Sequence, residues 1–147
     1  MIHAIYIIDR SGIPLFFREK EENSSDITRA TLFSGVISAI QSLLKDMEIG
    51  EATEVSTKAY DILLEVAMNF AVIVVIDPCV ESDKTSLRTE LTRFTTKVSF
   101  EIKDVVDANL VRKEEQMLNQ LTDEFIKNCE QILNTSEATK RLRDSLW

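Results

Sequence analysis

Only three glycines, two prolines, two cysteines and one histidine punctuate the 147 residues. So few glycines and prolines argue against disorder, and against an all-β fold built on many tight turns. Three glycines cannot supply a GxGxxG fingerprint, and Lys84-Thr85 lacks the upstream glycines of a phosphate-binding loop. Cys79 and Cys129 cannot make a disulfide framework, and without CxxC spacing they do not suggest a metal site; they read as reduced thiols of a cytosolic protein. With His3 as the lone histidine, HExxH chemistry is excluded, and a zinc site or a Ser-His-Asp triad would have to be built around that residue. No catalytic residue, cofactor or metal is therefore expected. No stretch is apolar for about 18 residues on end, and the N-terminal run is too short for a signal peptide or a membrane span, which points to a cytoplasmic chain. Positive charge is scarce too: 17 Lys and Arg against 25 Asp and Glu leave a net charge of −8. That balance disfavours nucleic acid as a partner and weakens broad adhesion to anionic lipid, leaving only a local patch for peripheral membrane contact.

What is present is aliphatic. Ile2–Ile8 and Phe70–Ile76 are apolar at nearly every position. A strand with one wet face alternates polar and apolar, whereas a strand apolar throughout must be covered on both faces. The chain is thus expected to sandwich a sheet between helices, with these two strands near its middle. After Ile2–Ile8, Asp9-Arg10-Ser11-Gly12 reads as a turn and Ile13–Arg18 as the returning strand, which Pro14 places at a sheet edge. Ser25 or Asp26 offers an N-cap. From Ile27 to Met47 the apolar positions Phe33, Val36, Ile37, Ile40, Leu43, Leu44 and Met47 are spaced for one helical face. Ser34, Gly35, Ser38 and Ala39 are small enough to let that helix approach the sheet closely, and Gly50 stands where a left-handed cap would end it.

Glu54–Thr57, Tyr60–Val66 and Phe70–Ile76 read as three further strands, the first short and polar as suits an exposed edge. A second helix carries Leu87, Leu91, Phe94, Val98, Ile102 and Val105; a third carries Leu118, Leu121, Phe125, Cys129, Ile132 and Leu133. The order is β-β-α-β-β-β-α-α. The expected class is α+β: a three-layer α/β/α sandwich on a five-stranded, mostly antiparallel sheet, one helix on one face and two on the other.

This order, opening directly on a strand, resembles the longin domain. The resemblance runs from Met1 to about Leu133. It rests on Ile2–Asp9 with Ser11-Gly12 before the second strand, on the small-residue helix Leu32-Phe33-Ser34-Gly35-Val36-Ile37-Ser38-Ala39-Ile40, and on the meander ending at Phe70–Ile76 ahead of the Leu87–Val105 helix. The roadblock and profilin folds share the general layout but normally open with a helix. The resemblance implies a non-catalytic, free-standing module that binds or regulates a small GTPase or a vesicle-trafficking-type complex. A structural homodimeric scaffold of roadblock type is the alternative, and a small-molecule sensor a further one.

Residue by residue, the bland readings prevail. Asp9 and Asp77 end the two central strands and could be imagined as an acid–base pair, but turn and capping roles explain them. Asp104 and Asp107 read as a solvated face. Lys84, Arg88, Arg93 and Lys97 form a weak basic stripe, interrupted by Glu90 and Glu101. Partner binding is assigned to Val55 and Thr57 on the polar edge strand, and to Leu142, Leu146 and Trp147 in the tail. The domain is set at residues 1–134 and the amphipathic tail at 135–147. Leu142 and Leu146 either fold back on their own domain or dock on another chain as a helix in a groove. The expected partner is a protein: a small GTPase, another longin- or roadblock-type domain, or a second copy of this chain.

Overall fold

Ile2–Asp9 (β1) and Phe70–Ile76 (β5) lie side by side, antiparallel, at the centre of a five-stranded sheet. The computed structural model describes residues 1–20, 27–102 and 114–146. Pro14–Glu19 (β2) pairs with β1 on one side; Asp61–Val66 (β4) and then Glu54–Ser56 (β3) continue from β5 on the other, for the order β2-β1-β5-β4-β3. Every pairing is antiparallel. The helices are Ile27–Asp46 (α1), Glu81–Ile102 (α2) and Glu115–Leu146 (α3).

Alternation along β1 and β5 sends side chains to both faces, and both faces are buried. Ile5, Ile7, Val72, Val74 and Ile76 pack with Leu87, Leu91, Phe94 and Val98 of α2 and Leu118, Phe125 and Cys129 of α3. Ala4, Tyr6, Ile8 and Ile73 pack on the opposite face with Ala30 and Ile37 of α1. One helix on one face and two on the other is the expected arrangement. Phe94 and Phe125 stack at 4.8 Å between α2 and α3. Burial pushes the Cys129 thiol up to about 12, so it stays protonated.

Two expectations about α1 change. Its apolar residues do not form one face: Ile37 is buried and Phe33 half-buried against the sheet, while Leu32, Val36, Leu43 and Met47 are exposed on the outside. A helix with apolar residues at both sets of positions presents an arc wider than one sheet can cover. Its cap is Glu48, with φ 57°, whose N–H bonds the Lys45 carbonyl at 3.0 Å while Ile49 reaches back to Leu44 at 2.9 Å. That is a Schellman closure, with Gly50 two residues beyond it. The expected caps at Ser25 and Asp26, apolar Val105, the Asp104–Asp107 pair and Trp147 lie outside the described residues.

The small residues of α1 also divide. Gly12, at φ +84°, sits so close to α1 that an added Cβ would lie 2.7 Å from Ser38 Cβ and 3.2 Å from the Ser34 carbonyl. Ser34 and Ser38 therefore admit the β1–β2 turn. Gly35 faces outward, with nothing within 4 Å of such a Cβ. Opposite outcomes follow. Gly12→Ala should cost about 1–3 kcal/mol from backbone strain and overpacking. Gly35→Ala, measured at low protein concentration, should gain about 0.5–1 kcal/mol. Urea unfolding of both variants checks this; equal effects would contradict the placement of the two glycines.

Candidate functional site

A sheet covered on both faces leaves its own open backbone at its edges. The β2 edge carries Pro14 and is tied to α3, where the Arg18 guanidinium donates to Asp123 Oδ1 and Asn119 Oδ1, both at 2.5 Å. The β3 edge is different. Only three residues long, it is held from behind and from both faces but borders no further strand among the described residues.

From α1, the Gln41 side chain accepts from Ala52 N–H at 2.8 Å and donates to the Ala52 carbonyl at 3.0 Å, aligning the chain just ahead of β3. From α2, Arg88 donates to the Thr53 carbonyl. The β3–β4 turn is closed by Thr57, whose N–H and Oγ1–H donate to the Tyr60 carbonyl at 2.9 and 2.8 Å while Oγ1 accepts from Tyr60 N–H at 2.9 Å. Beneath the strand, Lys84 Nζ lies 2.6 Å from Glu54, 3.3 Å from Asp61 and 3.6 Å from Glu81. Asp61 is only 4% exposed, so its carboxylate needs that counter-charge. The hydrogen bond from Lys84 holds the Glu54 carboxyl below its ordinary range, and the same bond raises the lysine.

Register decides which atoms face the open side. Leu64 N–H bonds the Thr53 carbonyl and Thr57 N–H bonds the Tyr60 carbonyl, so the odd-numbered residues turn their backbone groups toward β4. Glu54 and Ser56 then turn theirs outward. Of the residues assigned from sequence, Val55 packs its side chain partly into the α1-side core and Thr57 forms the turn. The outward backbone of Glu54 and Ser56 went unrecognised, because it follows from where Thr57 closes the turn and not from residue type.

The basic stripe on α2 is not a free cationic face. Lys84 lies under β3, Arg88 holds Thr53, Arg93 pairs with Glu90 at 2.7 Å and Lys97 with Glu124 at 3.0 Å. His3 is edge-on to Tyr60 at 4.7 Å and donates to Asp77 at 2.6 Å, which draws the Asp77 carboxyl below its usual value. Asp9 accepts from Ser11 and Ile13 N–H at 2.8 and 2.9 Å, a turn role. Asp9 and Asp77 end antiparallel neighbours at opposite ends of the sheet, roughly 20 Å apart at about 3.3 Å per residue, so they cannot act on one substrate. Among the described residues no group of three or more His, Cys, Asp or Glu could hold a metal, and no helix is long and apolar enough to cross a membrane.

A second exposed region is helical. α3 continues unbroken through the segment set apart as a tail and outruns α2, leaving an open cleft of about 1140 Å³ floored by Pro78, Cys79 and Val80. Residues 137–146 are all exposed, with Leu142 at 62% and Leu146 at 75%. The described tail makes no return onto its own domain.

Two outcomes test this geometry. Deleting residues 136–147 should leave the melting temperature unchanged, whereas a fall of several degrees would mean that the overhang packs in cis. Glu54 and Asp77 have lowered carboxyls, so the stability they contribute is present above their ordinary values of 4.5 and 3.8 and is lost as pH falls through the lowered ones. Since Lys84 is the partner of Glu54, Lys84→Met should lower the urea midpoint clearly near about pH 7, and the gap to the parent should shrink as pH falls toward about 3 and Glu54 protonates. A gap that widened in acid would contradict the ion cluster.

No protein-family model matches the chain, and no curated protein does. Among solved structures it is similar to a chain of a homology model of the full-length AP-3 complex in a stretched open conformation, with a TM-score of 0.61 and 12% identity over 99% of this chain and 99% of that one. Lower similarity extends to a Roadblock/LC7 domain from Streptomyces avermitilis (TM-score 0.43, 12% identity, 80% of this chain and 85% of that one). Myxococcus xanthus MglB is comparable (TM-score 0.41, 12% identity, 86% and 84%). At such identity the likeness to the AP-3 chain shows the fold alone, five antiparallel strands with one helix on one face and two on the other.

Proposed function

We propose that this chain is a cytoplasmic, non-catalytic longin-type interaction module that binds or regulates a small GTPase or a trafficking-type complex. The observation that carries the reading is the β3 edge: a short strand clamped by Gln41, Arg88 and Lys84, with the backbone of Glu54 and Ser56 turned outward. A strand held this firmly loses little conformational entropy when a partner adds a strand beside it. The likeness in fold to a chain of a multi-subunit complex supports the same reading. Domain residues 1–134 supply the edge, and the amphipathic segment 135–147, with Leu142, Leu146 and Trp147, supplies a second contact. Val55 and Thr57 serve it indirectly, by seating and closing the strand.

The same edge favours a second reading, a homodimeric scaffold in which β3 pairs with β3 of another copy. A ligand-binding sensor has less support, because buried side chains fill the described sheet on both faces.

Ser56→Pro tests the edge. It removes an outward N–H without touching the bonds to β4. Pull-downs against small GTPases loaded with GDP or a GTP analogue should capture at least one with the parent chain and lose it by roughly tenfold or more with Ser56→Pro. Capture of none in either nucleotide state, or capture indifferent to Ser56→Pro, would overturn the proposal; loss of binding to GTPases with dimers that Ser56→Pro dissolves would select the scaffold.

A further inference from the structure

Among the described residues, two of the exposed apolar surfaces are helical ridges on opposite sides of the sheet. α1 shows an outer face of Leu32, Val36, Leu43 and Met47, each more than half exposed, and α3 shows Leu142 and Leu146 on its overhang. We infer that the α3 overhang of one copy docks on the outer face of α1 of the next, so that the chain self-associates head to tail. This inference rests on the reading of the chain as an interaction module and names an occupant for its overhang.

The shapes correspond. Leu32 with Val36 and Leu43 with Met47 are two i,i+4 ridges, with exposed Ala39 between them and exposed Gly35 on the flank of the first. Leu142 and Leu146 form a third i,i+4 ridge. Ridges of this kind interdigitate when helices cross, and small residues at the crossing let the axes approach. Gly35 weakens α1 by about 1 kcal/mol relative to alanine and relieves no clash within its own chain. A close crossing by another helix gives it a role.

The charges correspond as well. Arg141 pairs with Glu137 at 2.6 Å on its own helix, so Lys140 and Arg143 against Asp144 leave the overhang weakly basic. The exit of α1 is acidic, with Asp46, Glu48 and Glu51 against Lys45, and the negative end of its helix dipole lies there. On a chain of net charge −8, copies repel on average, so a locally basic segment that meets an acidic one fixes the docking partner.

The contact cannot form within one chain. α1 lies on the Ala4, Tyr6 and Ile8 face of the sheet and α3 on the Ile5 and Ile7 face, and the outer side of α1 points away from both. Surfaces that are complementary but distinct make heterologous contacts, which extend into open chains or close into rings. Six apolar side chains make a contact at the small end of the size range, so assembly should depend on concentration and weaken with salt.

Sedimentation velocity with two surface variants tests this. The parent chain should form species that grow beyond dimers as concentration rises. Leu142→Asp with Leu146→Asp, and separately Val36→Asp with Leu43→Asp, should each be monomeric, with unchanged circular dichroism. Mixed in equal amounts they should form a one-to-one heterodimer and nothing larger, since each retains the surface the other lacks. If the α1 variant fails to fold, Val36→Ser with Leu43→Ser replaces it. A parent chain monomeric at every concentration, an overhang variant that still dimerises through α1, or a mixture that stays monomeric would each overturn the inference. None of these results touches capture through the β3 edge, because Ser56 lies outside both variants.

Discussion

Everything in this molecule follows from the antiparallel pairing of β1 with β5. Both strands are aliphatic on both faces, so their ladder is stable only with helices above and below it, and burying each large side chain contributes about 1.5–3 kcal/mol. That constraint places α1 on one face and α2 with α3 on the other, and among the described residues buried side chains fill both faces. Recognition is driven to the periphery, to strand edges and outer helix faces.

At the periphery the two edges are treated differently. β2 is short of donors through Pro14 and is pinned to α3 through Arg18. β3 is seated on a cluster of one ammonium and three carboxylates, with Asp61 buried at its centre. Such a cluster stabilises little by itself, since desolvating charges costs much of what their attraction returns. It does fix geometry, because breaking one contact leaves another charge uncompensated. The result is an edge strand of three residues that holds its register with no neighbour on its outer side among the described residues.

Much of this was legible in the sequence. Unbroken aliphatic runs mark β1 and β5 to within one residue, Pro14 marks an edge strand, and the 3.6-residue spacing of Leu87, Leu91, Phe94 and Val98 marks the buried face of α2. The faces of α1 were not legible, because Phe33 and Ile37 interleave with Leu32 and Val36, and periodicity alone cannot say where the covered arc stops. Lys84 looked like part of a surface stripe; its partners Glu54 and Asp61 are distant in sequence and meet it only through the sheet. The outward backbone of Glu54 and Ser56 depends on register, which a one-residue shift of the turn at Thr57 would reverse. With no glycine or proline to end it, α3 runs on through the tail segment to Leu146.

Native-state hydrogen exchange resolved to single amides tests the central claim most directly, that a doubly covered β1–β5 core presents β3 as a firm but open edge. The account predicts that β1 and β5 amides exchange only through global unfolding, that Val55 and Thr57 are protected, and that Glu54 and Ser56 exchange quickly in the dilute chain. Rapid exchange along β1 or β5, or protection at Glu54 and Ser56 equal to that of Val55, would contradict it.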